Sequence, residues 1–571
     1  MFALATAYLT SPVGLTTTPS GRSLMPQSMQ SIPEYLKDKV LFVTGATGFV
    51  GKAVVVQALR HVPDIKRIYV PARERKLKSG GTQSAEVRLN QVIASSAFDV
   101  LRKEWGDAFE ARVHEKLSVV AWKGLEYDDL GIEDETRAQL QSEVDVVISS
   151  AATVVFDEPV DMALRQNAIG LQRVLDFSKG CKNACFVYVS TAYVNGQMTG
   201  KIPEALLPPD TSIAQQLGNG AAPRYDLDEQ IAEIEAFAER VRDEAETPAQ
   251  SAVFKEQLVR QNRGKRVTEH RLDHQLDALK ERWIQGRLVR EGLRRGRHHG
   301  WNDAYTMTKA MGEQLLQRER GDLPVAIVRP SIIESSLQDP EPGWLEGLKV
   351  ADPLIAHFSK GRLSDFPGDP QAVMDVIPVD IVANAILSVV PRIRETDQID
   401  VYHVGTGARN PIRFGEIFDY VYDYYRANPV LDRDGNPIHV SRWRFPTVER
   451  FERWCRFRYK LPMAMLRWML DRLPESNRTN RLMRTITRGE ATLERVLALC
   501  EIYAPYTFLD CRFETQNLDR IYNEMHPEDR QRFNTDVSRI DWQSYVQDTH
   551  IPGLHRHVLK SELAADNRNG G

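Results

Sequence analysis

The sequence predicts an α/β protein: a doubly wound parallel sheet with a helical insertion and a mostly helical C-terminal domain. Three observations predict it. Short β-branched runs alternate with helix-forming stretches from about residue 36 to 410, as in sheets covered on both faces by helices. Gly45, Gly48 and Gly51 sit where the first such run meets the first helix. The alternation breaks twice, over about 204–300 and from 411 to 571, where charged or aromatic helix formers take over.

Val40-Leu41-Phe42-Val43-Thr44 is the first strand, and Lys52 to Leu59 belongs to the first helix. Of the glycines between them, the first suits a tight turn and the second lets backbone approach a pyrophosphate. The third lets helix pack on strand. Strand and helix flank them on the required sides, so the unit reads as dinucleotide-binding and the sheet as Rossmann-like, with phosphate at the helix N-terminus. Arg67 to Val70 is the second strand, followed by a polar loop (Lys76 to Ser84) and an amphipathic helix near 85–103. Leu117 to Ala121, Val144 to Ile148 and Ala184 to Val189 are the next strands. A helix from about Val160 to Lys179 separates the last two, and Pro324 to Pro330 and Val401 to Val404 add later strands.

Within the insertion an acidic run (Asp226 to Glu246) precedes a basic one (Lys255 to Arg297). A solvated helical hairpin is expected, with a basic platform for an acidic carrier protein or coenzyme phosphate as the alternative. In the C-terminal domain Leu461 to Leu470 is conspicuously apolar. Core packing is the default for such a Met/Leu stripe. A membrane-surface helix or the lining of a fatty-chain tunnel is the alternative.

At 571 residues the chain is too long for one compact core. With 42% hydrophobic and 27% charged residues and a net charge of −4, it has an ordinary soluble composition and no global signature of nucleic-acid binding. Five scattered cysteines suit a reducing cytosol, and Cys181 and Cys185 lack a second His/Cys pair, so no metal site is expected. No apolar run is long enough to span a membrane. A cytoplasmic protein is expected, with peripheral contact to the inner membrane or a lipid surface left open. Residues 1–35 are set apart as a disordered extension; Arg22 is the only charge in the first thirty, and a start upstream of Met25 or Met29 would also explain them.

Tyr305-Thr306-Met307-Thr308-Lys309 sets a phenol and an ammonium four apart on one helix face. A phenol near its ordinary pKa of about 10 is a poor acid–base group at neutral pH. A cation one turn away is expected to move it toward the working range. Val189 to Gly196 reads as a strand ending in hydroxyls at the sheet's carboxyl edge, where ligands bind. Ser190 or Thr191 is placed there to hydrogen-bond a carbonyl or to cap a turn. NAD enzymes carry an acid at the end of the second strand; Arg73 and Arg75 stand here instead and suit the 2′-phosphate of NADPH.

These three motifs together resemble the extended short-chain dehydrogenase/reductase superfamily. Ser149 to Phe156, Ile327 to Glu334, Glu341 to Gly347 and Val376 to Asn384, in that order, narrow the resemblance to the fatty acyl-CoA reductases, particularly the bacterial alcohol-forming type. It runs from about residue 36 to the C-terminus. It implies NADPH-dependent reduction of a long-chain acyl thioester of coenzyme A or acyl carrier protein, through the aldehyde, to a primary alcohol of the kind found in wax esters. It makes Tyr305 the proton donor, Lys309 its pKa modifier and a ribose ligand, and Thr191 rather than Ser190 the carbonyl-binding hydroxyl. Gly45, Gly48 and Gly51 would hold the pyrophosphate with Thr44, Thr47 and Phe49 beside them, and Ala151 and Ala152 would line the nucleotide cleft. Where the family usually has Gly and then an acid after the third strand, this chain has Ala121-Trp122-Lys123-Gly124-Leu125. The rival readings are a reductase that stops at the aldehyde, a sugar-nucleotide epimerase, and a nucleotide-sensing or lipid-scaffolding protein.

Overall fold

The computed structural model describes residues 30–76, 81–154, 157–218, 222–262, 268–432, 434–474 and 476–560. Most of the N-terminal extension, part of the loop after the second strand, and Val155 and Phe156 lie outside the described residues. Seven strands form the central sheet: β1 (Val40–Thr44), β2 (Arg67–Ala72), β3 (Leu117–Ala121), β4 (Val146–Ser149), β5 (Cys185–Val189), β6 (Val325–Pro330) and β7 (Asp400–Val404). They run in the order β7-β6-β5-β4-β1-β2-β3, all parallel. The order turns back between β1 and β4, and the carboxyl edge there is the place a doubly wound sheet offers to a ligand.

Both faces of the strands are buried, which explains why they read as apolar runs. Leu41 and Val43 of β1, with Cys185 and Val187 of β5, face one hydrophobic cluster. Val40, Phe42, Phe186 and Tyr188 face the other. The principal helices are α1 (Phe49–His61), α2 (Leu227–Glu246), α3 (Pro248–Asn262), α4 (Glu269–His298), α5 (Ala304–Glu319), α6 (Val379–Val389), α7 (Leu461–Leu470) and α8 (Asn477–Thr507). Asp380 in α6 accounts for one sequence motif: its buried carboxylate accepts N–H bonds from Leu337 (2.9 Å), Gln338 (2.8 Å) and Asp339 (3.2 Å), fixing the loop after β6. Among the described residues no helix is long and apolar enough to cross a membrane.

Two expectations are corrected. The folded chain begins before residue 36, because Ile32–Leu36 is a helix with a Ser31/Glu34 capping box, and Ile32 and Leu36 are buried. The insertion holds three long helices rather than a hairpin, with a small core of Ala238, Val241, Phe254, Ile284 and Leu288. Its opposite charge runs pair with each other: Arg287 lies 3.2 Å from Glu244, Arg295 2.6 Å from Glu233, and Lys280 meets Glu246. Part of the basic run is therefore matched within the insertion.

The C-terminal segment shares the core of the sheet. Phe414, Phe418, Phe513, Ile521 and Leu554 belong to the cluster that holds Leu41 and Val43. Cys511–Phe513 pairs in parallel with Gly200–Ile202. Tyr545 donates to Ser335 O at 2.7 Å, and His550 meets Ser335 Oγ and Asp352 Oδ1, each at 3.0 Å.

A buried polar chain ties these layers together. Arg329 of β6 makes a two-pronged bond to Glu313 of α5 (2.9 and 2.5 Å) and donates to Ala205 O (3.0 Å). His403 of β7 lies 3.3 Å from Arg329, and its other ring nitrogen is 3.0 Å from Glu514 O. Burial and the adjacent guanidinium push its pKa down to about 3, so the ring is neutral. Glu204 accepts from the backbone of His403 (2.9 Å) and Asn517 (2.7 Å), and burial raises its pKa to about 7. Replacing Glu313 by Ala should cost about 3–5 kcal/mol in urea unfolding, because it strands a buried guanidinium. The joint replacement Glu313→Leu/Arg329→Met should cost less than the single change.

Candidate active site

The turn from β1 into α1 uses its glycines literally. Gly45 has φ +75°, and a Cβ there would lie 2.7 Å from Ala151 N. A Cβ at Gly51 would lie 2.3 Å from Gly45 O. Gly48 is the N-cap of α1 and no side chain caps that end, so its first-turn N–H groups are open to an anion. Thr44 fastens this loop to the end of β4: its carbonyl accepts from Ser150 Oγ (2.6 Å) and its hydroxyl from Ala151 N (3.2 Å). Thr47 and Ala152 are half-buried at the same edge. Phe49 is packed, with Trp344 at 5.0 Å between ring centroids and Lys349 Nζ 4.1 Å from its own ring centre. The cradle fits a dinucleotide pyrophosphate, since side chains at these glycines would fill it.

Beyond β2, Arg73 and Arg75 are exposed. A third guanidinium joins them. Arg88 donates to Arg73 O at 2.9 Å, and burial and then the charges of Arg73 and Arg75 lower its pKa. Glu126 lies 3.5 Å from Arg73. The unusual segment after β3 leaves the strand register intact, with Ile68 opposite Leu117 and Ala72 opposite Ala121. Trp122 fills the second hydrophobic cluster.

Thr191, Tyr305 and Lys309 come together beyond the ends of β5 and β6. Asp303 caps α5 through Thr306 N (2.8 Å), which sets Tyr305 in the first turn of the helix. The Tyr305 phenol is hydrogen-bonded to Thr191, whose hydroxyl is 3.4 Å from Pro330 O and accepts from Tyr193 N (3.3 Å). Thr191 rather than Ser190 is thus the hydroxyl beside Tyr305. Lys309 is 2% exposed; it donates to Val189 O (2.8 Å) and lies 4.7 Å from the Tyr188 ring centre.

One expectation fails here. Tyr305 is pushed above its ordinary pKa, first by burial and then by the Asp303 charge, with the Thr191 bond opposing. Lys309 does not bring it down, because burial lowers Lys309 itself to about 7 against the favourable Glu313 charge, and its ammonium is turned to a backbone carbonyl. The phenol is held protonated, the form that donates. Sequence reading also missed Asp303, Tyr506, Ser150 and Arg88. Asp303-x-x-Thr306 is a legible cap. Nothing near Tyr305 signals Tyr506, which lies 203 residues beyond Asp303, donates to its carboxylate, and packs edge-on against Tyr193 at 5.2 Å.

A seven-stranded parallel sheet with this glycine turn and a Thr-Tyr-Lys set at its carboxyl edge defines a nicotinamide-dependent oxidoreductase of the extended short-chain dehydrogenase/reductase class. Residues 43–386 match the NAD-binding family described as male sterility protein, and residues 458–561 match the Sterile family of the same description. Fatty acyl-CoA reductase 2, chloroplastic, of Arabidopsis thaliana is 32% identical over 545 residues, covering 93% of this chain and 80% of its own. The alcohol-forming fatty acyl-CoA reductase of Simmondsia chinensis is 31% identical over 552 residues, covering 93% and 100%. The terminal R domain of the myxalamid PKS-NRPS pathway has a similar fold, with a TM-score of 0.52 at 16% identity over 91% of each chain. The chain belongs to the fatty acyl-CoA reductases, and the epimerase and non-enzyme readings fall away. Gly51→Ala should weaken NAD(P)H binding by at least about tenfold in a fluorescence titration, because the new methyl must displace the Gly45 carbonyl. Unchanged affinity would show that the cradle is not the pyrophosphate site.

Proposed function

We propose that this protein reduces long-chain acyl-CoA with NADPH, through the aldehyde, to the primary alcohol. The observation that carries the reading is the Thr191–Tyr305 hydroxyl pair, held protonated at the carboxyl edge beside the glycine cradle. The cluster of Arg73, Arg75 and Arg88 supports NADPH over NADH, since three guanidiniums suit a phosphate. The cofactor, when bound in that cradle, supplies hydride to the carbonyl carbon. Thr191 and Tyr305 then donate to the oxygen as its charge grows. In the first round the carbon–oxygen double bond re-forms as the carbon–sulfur bond breaks, and coenzyme A leaves as a thiolate that takes a proton from solvent. In the second round Tyr305 gives its proton to the alkoxide. Lys309 anchors the floor of the site through Val189 O and is a ribose ligand in this reading. The stretch around Tyr506, which reaches the cap of α5, is the part suited to shelter the acyl chain, worth about 0.8 kcal/mol per buried CH₂. Five cysteines with no disulfide among them suit a reducing, cytoplasmic compartment.

With purified protein and palmitoyl-CoA, two NADPH should be consumed per coenzyme A released, with hexadecanol recovered. One NADPH with hexadecanal would restrict the activity to the first reduction. Tyr305→Phe should lower turnover by a factor on the order of 10²–10⁴ with NADPH binding nearly intact; retained turnover would remove Tyr305 from the mechanism.

The pH dependence should report Lys309. Its pKa is depressed to about 7, so the ammonium is present below that value and lost above it in the free enzyme. If the ammonium is the productive form, kcat/KM for NADPH falls as pH rises through about 7. Lys309→Arg should retain a reduced rate without that limb, and a limb that survives the substitution belongs to another group.

A further inference from the structure

The apolar stripe of α7 is not core. Among the described residues nineteen large hydrophobic side chains are exposed, and ten of them fall between Trp454 and Leu482. Phe457 and Met465 are each 66% exposed and Trp468 is 58% exposed. Trp454, Phe457, Leu461, Met465 and Trp468 follow one another at spacings of three and four, one stripe of a helical surface. Soluble proteins rarely leave such a stripe open without a partner.

The charge around it names the partner. Residues 453–488 contain ten Arg or Lys and two acids, a local charge of +8 in a chain whose net charge is −4. Among the described residues only Arg467 of these ten is in an ion pair, with Glu490 at 2.8 Å. Arg472 lies over the Trp468 ring at 3.5 Å, which keeps a cation beside an exposed aromatic. An exposed aromatic and Met/Leu stripe bordered by unpaired arginines is the chemistry of a helix lying in the headgroup layer of an anionic bilayer. A second copy of this chain would bring +8 against +8, and an acidic carrier protein satisfies the arginines but leaves the stripe uncovered.

We propose that residues 454–474 and 476–482 form a docking surface for an anionic lipid membrane, with α7 parallel to the surface and its apolar side chains among the upper acyl carbons. This surface involves neither Thr191, Tyr305 nor Lys309, and the proposal stands whatever the reaction proves to be. The test is co-flotation of the full chain with phosphatidylcholine vesicles with and without phosphatidylglycerol, followed by tryptophan emission. The wild type should bind the anionic vesicles with a blue shift and bind the neutral ones weakly. Met465→Glu/Trp468→Glu and Arg478→Gln/Arg481→Gln/Arg484→Gln should each reduce binding by at least about tenfold; added salt should weaken binding of the wild type and of Met465→Glu/Trp468→Glu, whereas what the arginine variant retains should resist it. All three proteins should keep the same melting temperature and the same turnover on dissolved acyl-CoA. Equal binding by wild type and both variants overturns the proposal. So does a dimer in light scattering that Met465→Glu/Trp468→Glu dissolves while vesicles go unbound, and so does saturable binding of acyl carrier protein at this face without vesicle binding.

Discussion

The fork between Arg329 and Glu313 is the constraint on which the geometry of the candidate site rests. It locks α5 to β6, and through His403 and Glu204 it reaches β7, the start of the insertion and the chain near Asn517. Four separated stretches meet in one buried chain of polar contacts. A charge buried at that depth tolerates one arrangement of partners, because any other leaves it unsatisfied. Tyr305 and Lys309 ride on the same helix as Glu313, so the position of both is inherited from this fork. Glu313 acts at short range too, since its charge is what keeps Lys309 from losing its proton at still lower pH.

The site is finished by residues from the far end of the chain. Tyr506 closes on Asp303, the residue that caps α5, and Arg297 at the end of α4 reaches Glu501 in α8 at 3.1 Å. Cap, insertion and tail therefore brace one another around the first turn of α5. A tail that merely followed the nucleotide-binding sheet would have its own core. Here Phe414, Phe513 and Leu554 share the cluster of Leu41 and Val43, so nucleotide cleft and tail are parts of one packed body.

Much of the sheet was legible because its strands are buried on both sides. Val43, Val187 and Val328 had to be apolar whichever face they met, which left short, unambiguous runs. The glycine turn was legible because only a residue without Cβ fits against Gly45 O or Ala151 N. The Tyr-Lys spacing placed a phenol and an ammonium on one helix, but sequence carries no measure of burial. Burial raises Tyr305 and lowers Lys309, against the expectation drawn from their proximity. The insertion was read as a solvated hairpin for a related reason: sequence does not show that Glu244 and Arg287 meet when α2 and α4 pack. Tyr506 was invisible, because no local pattern announces a contact 203 residues away.

The short parallel pairing of Gly200–Ile202 with Cys511–Phe513 bears on how the molecule is made. Position 200 leaves the ribosome 311 residues before position 511. At about 5–20 residues per second that interval is roughly 15–60 s. Until then the sheet face that receives Phe513 and Leu554 lacks that part of its cover. The nascent chain therefore carries an incompletely covered apolar face until its last stretch is made. Its exposure to aggregation and to chaperones is set by translation speed as well as by final stability.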